Sequence, residues 1–278
     1  MNAYSYKARL SSRQYSGHFL WLCLVLAIAG CGSLTLEEES RLGDVQVIEI
    51  EQNVQIVDHP EVVAYIHDLA AELLNMAHGA DLPYQFRIIK ENGFNAFAVA
   101  GGNIYVTTGT IMASRNVAEL VSVLAHEIAH VQQGHISRYY RRYRNSNATA
   151  ELAGIALAIA TGNPLLAGIG DAAANLGSAA FIGAHSREAE SEADAMGFQI
   201  MTQAGYDPRS QVTLLSRIRA AMIVESDAPP AFLLTHPLPE DRILEATSRL
   251  QSLELNPALR VNDASRLETV KQVILALP

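Results

Sequence analysis

The chain has 278 residues, 49% of them hydrophobic, and 20 basic against 29 acidic side chains for a formal charge of −9. That length supports a substantial domain with its own core, not a stapled miniature, and the acidic balance excludes nucleic acid as an expected partner. Two cysteines and no Cys-x-x-Cys pair exclude a disulfide framework or a thiolate metal site.

Lys7, Arg9 and Arg13 precede an apolar stretch from Phe19 to Ala29 that is too short to span a bilayer comfortably and ends in small residues. Residues 1–30 therefore read as an export signal. Ile28-Ala29-Gly30-Cys31 resembles the bacterial lipobox, in which cleavage exposes the cysteine for acylation; an ordinary signal peptide with an incidental cysteine is the plainer alternative. Several acyl chains on Cys31 would meet the two-signal requirement for a stable membrane anchor. Gly32 and Ser33, with no aspartate after Cys31, suit an outer-membrane lipoprotein facing the periplasm. Three basic residues and no acidic ones precede residue 31, so the remainder carries −12, and Cys23 leaves with the leader.

Residues 31–56 read as a tether and a charged lead-in helix from Glu37 to Gln52, interrupted by Gly43. Asp58 is the expected N-cap of the next helix, with Glu61 three residues on and Val62, Val63, Ile66, Leu69, Leu73 and Leu74 as its buried stripe to about Met76. His67 and His78 read as surface or boundary residues, not ligands. The period then changes to β-rich runs at Tyr84 to Lys90, Phe94 to Val99 and Ile104 to Thr108, the last two joined by Ala100-Gly101-Gly102-Asn103 as a hairpin. An edge strand there would offer its backbone to an extended peptide; the plainer alternative is a sheet that only roofs the helices.

His126-Glu127-Ile128-Ala129-His130 lies inside an apolar-periodic run, with Asn116 and Glu119 as an N-cap and its reciprocal partner. Helical positions four apart differ by only about 40° around the axis, so both imidazoles leave one face and can grip one ion. Glu127, adjacent to the first histidine, can reach a water on that ion without ligating it, which is what a hydrolytic general base requires. Zinc, one per chain, is the expected occupant and peptide-bond hydrolysis the expected chemistry.

Beyond the motif, Arg138 to Arg144 is a basic and aromatic cluster that complements a helix C-terminus, with anionic lipid headgroups as an alternative partner. Residues 148–184 are rich in Ala, Gly, Leu and Ile but broken by Asn163-Pro164 and several glycines. They read as short helices, either core or a movable cover, in preference to a membrane span.

Two histidines leave a catalytic zinc short of a ligand. His135 is tempting, but the metzincin pattern puts glycine three and histidine six residues after the second ligand, whereas Gly134 is four and His135 five on. Glu190 and Asp194 share a helical face in Ser186 to Asp194, so one carboxylate can bind the metal while the other orients an imidazole.

Asn95-Ala96-Phe97-Ala98, Gly102 to Gly109, the motif at 126–130, the Glu190 to Asp194 spacing, Ala204 to Pro208 and Thr235 to Arg242 occur in that order. In these pieces the chain resembles the HtpX-like and CAAX prenyl protease family of gluzincin metallopeptidases, its periplasmic lipoprotein branch above all, over roughly residues 36–250. The resemblance implies a mainly α, α+β fold: a zincin-like metallopeptidase domain at 57–250 with a small sheet before the motif helix, followed by a helical tail at 251–278. It implies His126, His130 and Glu190 as zinc ligands, Glu127 as base and Asp194 as support, with Glu188 and Glu192 as local rivals of Glu190. Asn95, Gly102, Asn103 and Ile104 are the substrate-binding positions it suggests. Transmembrane helices like those of the integral branch are not expected here, nor is a tetratricopeptide array in the residues after about Leu250. His236 and Arg242 are candidate oxyanion donors; His236 is alternatively a displaceable zinc ligand, and both are alternatively structural.

The expected substrates are unfolded or misassembled envelope proteins, with the outer-membrane assembly machinery a candidate partner. The rivals from other classes are a lipoprotein chaperone that holds unfolded outer-membrane proteins with little or no proteolysis, and an assembly factor with zinc as a mere staple. A staple predicts four protein ligands and no exchangeable water.

Overall fold

A computed structural model describes residues 35–77, 83–138, 186–224, 232–236, 240–254, 258–261 and 264–278. The leader, Cys31, His78, the basic cluster beyond Arg138 and the apolar stretch 148–184 lie outside the described residues. Among the described residues, no helix is long and apolar enough to cross a membrane.

Helix α1 (Leu36–Glu51) opens on a capping box, with the Thr35 hydroxyl accepting from Glu38 N and the Glu38 carboxylate from Thr35 N. It runs unbroken through Gly43, contrary to expectation. A Cβ at Gly43 would stand 2.4 Å from Ala100 O, so the missing side chain lets the helix press onto the hairpin turn. Gln46 Oε1 accepts from Ala100 N at 3.0 Å and ties the two together.

The chain then forms β1 (Ile56–Val57), α2 (Pro60–Leu74), β2 (Gln85–Ile89), β3 (Ala96–Val99) and β4 (Asn103–Thr107). His59, not Asp58, is the N-cap of α2, because Pro60 fits the first helical position, where no N–H is needed. The strands make one sheet in the order β1-β2-β4-β3, with β4 parallel to β2 and antiparallel to β3. Every residue of β4 is buried, as expected of a strand paired on both sides and covered on both faces. Gly101 and Gly102, at φ 73° and 78°, make the β3–β4 turn that other residues would strain to adopt. Phe97 and Tyr105 stack across the pair at 5.2 Å over a cluster with Ile50, Ile89 and Val99.

Strand β4 gives way at once to α3 (Thr108–Ala113), which the β-rich composition concealed. Thr107 caps α3 by accepting from Thr110 N, and both threonine hydroxyls also bind the Asn95 backbone. Helix α4 (Val117–Gln132) follows, buried from Val117 through Val131 as a helix that forms the centre of a core should be. Asn116 caps it as expected, accepting from Glu119 N at 2.8 Å, but the reciprocal arm of Glu119 reaches Arg115 N.

The remaining helices are α5 (Arg187–Gln203), α6 (Arg209–Val224), the single turn α7 (Phe232–Thr235), α8 (Glu240–Gln251) and α9 (Ala264–Leu275). Helix α9 seats Leu267 and Val270 in the core, and its Lys271 Nζ donates to Ser114 O at 2.8 Å just ahead of α4. The described fold is thus α+β and mainly helical, with the motif helix walled by the sheet and by α5.

Candidate metal centre

Helix α4 directs His126 and His130 to one side, their Nε2 atoms 3.0 Å apart. Helix α5 crosses that side. Ser186 fixes its start by accepting from Ala189 N, which sets Glu190 and Asp194 one turn apart over the imidazoles. The close crossing depends on Gly197, where a Cβ would lie 3.2 Å from His126 N and 3.3 Å from the Ala125 carbonyl carbon. Gly197→Val should therefore cost about 1–3 kcal/mol in denaturant melts and weaken metal retention. An unchanged midpoint would show that the helices can separate freely.

Glu190 Oε1 lies 3.3 Å from His130 Nε2 and its Oε2 lies 3.4 Å from His126 Nε2. His236, just after α7, closes the group: its Nδ1 is 3.0 Å from Glu190 Oε1 and 3.3 Å from His126 Nε2. One ligand atom from each of His126, His130, Glu190 and His236 lies within 4.8 Å of the others, and all four residues are buried. Tetrahedral zinc with bonds of about 2.0–2.1 Å would separate its donors by about 3.4 Å. The nitrogen and oxygen donor set, its spacing and its depth therefore fit a zinc ion.

Glu127 is fully buried beside the group. Neither of its carboxylate oxygens has a hydrogen-bond partner among the described residues, although His236 Nε2 lies 3.5 Å from Oε1. Burial pushes the Glu127 carboxyl above its ordinary value, only partly offset by His236 and His126. Such a group is poised to take up a proton.

Arg242, on α8, clamps the acidic side. Its Nε and Nη2 donate to Asp194 at 2.6 and 2.8 Å, and its Nη1 lies 2.7 Å from Glu190 Oε2. Asp194 Oδ1 in turn lies 3.1 Å from His126 Nδ1, behind the nitrogen that faces the donor group. Burial would raise the carboxyl of Glu190, but the charges of His236 and Arg242 and bonds from His126 and His130 hold it well below its ordinary value. Asp194 is likewise lowered, with Arg242 overcoming burial.

This excess of negative charge must be balanced, by a proton or by a metal ion. Burial disfavours charge on His126, yet bonds to Asp194 and Glu190 outweigh it and lift the imidazole from 6.5 to about 10. A raised imidazole stabilises the fold fully below the ordinary value and loses that contribution as pH rises through the folded one. With chelator present, thermal stability should accordingly fall from about pH 6.5 toward 10, and zinc should abolish the decline. Melts across that range that stay flat in chelator would contradict this charge balance.

The positions expected to bind substrate fare differently. Gly102, Asn103 and Ile104 lie in the turn and in β4, whose backbone is already paired with β2 and β3. Asn103 braces the turn instead, donating to Ala100 O and accepting from Arg87. The backbone of Asn95 is bound to Thr107 and Thr110, so the residue fixes the start of β3. Among the described residues β3, next to β4 only, is one edge of the sheet and the two-residue β1 is the other. Arg242, read as either an oxyanion donor or a structural ion pair, is paired with the two carboxylates.

Three contacts were not visible in the sequence. Phe232 stacks on His236 with ring centroids 4.6 Å apart and meets Phe94, just before β3, edge-on at 5.4 Å. His135, rejected as a ligand, sits behind His130 with the two Nδ1 atoms 2.7 Å apart.

A model of peptidase family M48 matches residues 60–250. The beta-barrel assembly-enhancing protease of Escherichia coli O157:H7 is 32% identical over 224 residues, covering 80% of this chain and 45% of that protein. A putative beta-barrel assembly-enhancing protease of Vibrio cholerae serotype O1 is 35% identical over 238 residues, covering 84% and 48%. The mitochondrial metalloendopeptidase OMA1 of Schizosaccharomyces pombe is 29% identical over 185 residues, covering 66% and 52%. The chain spans about half the length of these curated relatives.

Proposed function

This chain belongs to peptidase family M48, and from that premise we propose that it is a zinc-dependent metalloendopeptidase of the bacterial envelope, cutting unfolded or misassembled envelope proteins. The observation that carries the reading is a buried, unbonded Glu127 carboxylate beside a convergent set of two imidazoles and Glu190. His126, His130 and Glu190 would hold the metal, and Asp194 and Arg242 would keep His126 and Glu190 aimed at it. Zinc, when bound, makes water more acidic and polarises a scissile carbonyl.

Glu127 takes the proton of the attacking water and later delivers it to the leaving amine, a role suited to a carboxyl lifted by burial. An extended substrate adds to β3, whose outward backbone groups bind it without regard to side chains. Names of relatives support the substrate class, since two of them are called beta-barrel assembly-enhancing proteases. Lipid attachment at Cys31, an outer-membrane position facing the periplasm and an encounter with assembly machinery complete the proposal.

His236 would be a displaceable fourth ligand. Its Nδ1 stands among the metal donors, and its Nε2 stands near Glu127, so the ring occupies space that water and substrate need. His236→Ala should then raise cleavage of an unfolded substrate several-fold. A fall would favour an oxyanion donor, and no change would exclude both roles. A staple ion needs four donors but has no use for Glu127.

The deciding experiment follows casein cleavage by the full chain with and without chelator. Cleavage lost in chelator and restored by stoichiometric zinc supports the enzyme. Binding of unfolded protein without cleavage, zinc present, supports the chaperone instead.

A further inference from the structure

We propose that His135 is a positioning residue that fixes His130 as a metal ligand, through a chain of hydrogen bonds ending on the surface pair Glu192 and Arg138. The inference rests on the zinc-site reading above.

On an unbroken helix His135 would lie about 140° around the axis from His130, with no access to it. Gly134 changes that. It adopts φ 63°, a left-handed conformation natural to glycine at a helix end, and its N–H donates to Val131 O. A Cβ there would meet nothing within 4 Å, so the backbone angle is what position 134 requires of its residue. The chain then starts a new helical turn, with Arg138 N donating to Gly134 O, and His135 folds back against the motif helix.

His135 is buried, with its Nδ1 2.7 Å from His130 Nδ1 and its Nε2 3.0 Å from Glu192 Oε2. The same carboxylate oxygen accepts from Arg138 Nη2 at 2.7 Å. Only one proton can occupy the contact between the two Nδ1 atoms. When His130 offers the lone pair of Nε2 to a metal, its proton is on Nδ1, which donates to His135. His135 must then carry its own proton on Nε2, where Glu192 accepts it. Each link dictates the next, and the anionic end is held in place by Arg138.

Both metal-facing imidazoles are thus supported from behind, by different means. His126 Nδ1 leans directly on the Asp194 carboxylate, whereas His130 Nδ1 meets a second imidazole that in turn meets the Glu192 carboxylate. Loss of such support typically weakens metal binding about 10–100-fold. Helix α5 accordingly supplies Glu190 as a donor, Asp194 behind one histidine and Glu192 behind the other's support.

Zinc affinity measured by competition with a chromophoric chelator tests this. His135→Leu keeps an apolar filling but removes the acceptor, and should weaken zinc by 10-fold or more. His135→Asn, whose side-chain carbonyl can accept from His130 Nδ1, should stay close to wild type. Equal loss in both variants, or no loss in His135→Leu, would overturn the proposal. Nitrogen-15 NMR of zinc-loaded wild type provides a second measurement that needs no variant. A coupling between the two Nδ1 atoms is expected, and its absence would also refute the proposal. Wild-type protein that binds no zinc would instead remove the underlying site reading.

Discussion

Glu127→Gln should lower the turnover of an unfolded protein substrate by about 10²–10⁴-fold, the usual worth of a positioned general base, while zinc content stays at one per chain. The carboxylate stands beside the proposed ligands without being one of the four donors, so its loss removes proton transfer and spares metal binding. The fold should not suffer. Neither oxygen of Glu127 has a hydrogen-bond partner among the described residues, and a buried neutral amide costs less than a buried charge. Assay of turnover, metal content and melting temperature on one preparation checks all three. Cleavage equal to wild type would remove Glu127 from the mechanism, and zinc loss would make it a ligand.

Arg242→Met should destabilise the protein by about 3–5 kcal/mol, the range for removing one partner of a buried ion pair. Arg242 is 2% exposed and holds both Asp194 and Glu190, so its removal leaves two buried carboxylates to share the His126 imidazole as counter-charge. Arg242→Lys should rescue little, because a single ammonium cannot reproduce the fork that meets Asp194 through two nitrogens. Zinc should recover part of the loss by restoring positive charge. Denaturant melts with and without zinc measure this. An oxyanion donor would behave oppositely, with stability kept and kcat reduced, and that result would return Arg242 to the substrate side.

The difference between these two residues shows what was legible in the sequence. The motif helix was readable because its signals are local: a 3.6-residue apolar period, an Asn116 cap and two histidines at i and i+4. Glu190 and Asp194 were readable for the same reason, a shared helical face. Arg242 lies 48 residues from Asp194, and its type fits an oxyanion donor as well as a clamp, so only the packing of α8 on α5 decides where it points.

His135 was judged by its register against the metzincin pattern, which does not apply to a chain turned by Gly134. The glycine was visible, but the direction in which the chain leaves it was not. Strand β1 is two residues long, too short for any period, and the Thr107 and Thr110 brace that starts α3 depends on Asn95, just before the neighbouring strand. The expected interruption of α1 at Gly43 failed because the glycine answers to a tertiary contact, Ala100 O, which composition does not display. Sheet order was equally hidden around Gly102 to Ile104: pairing, not strand composition, determines that β4 is interior and that β3 lies at an edge.

An anomalous-scattering map of crystals of the full chain, collected on either side of the zinc edge, tests the central claim most directly. The account predicts one strong peak per chain, bonded to His126, His130 and Glu190, with Glu127 near it but outside bonding distance. A crystal grown with zinc that shows no peak there, or a peak with Glu190 turned away from the two imidazoles, would contradict it.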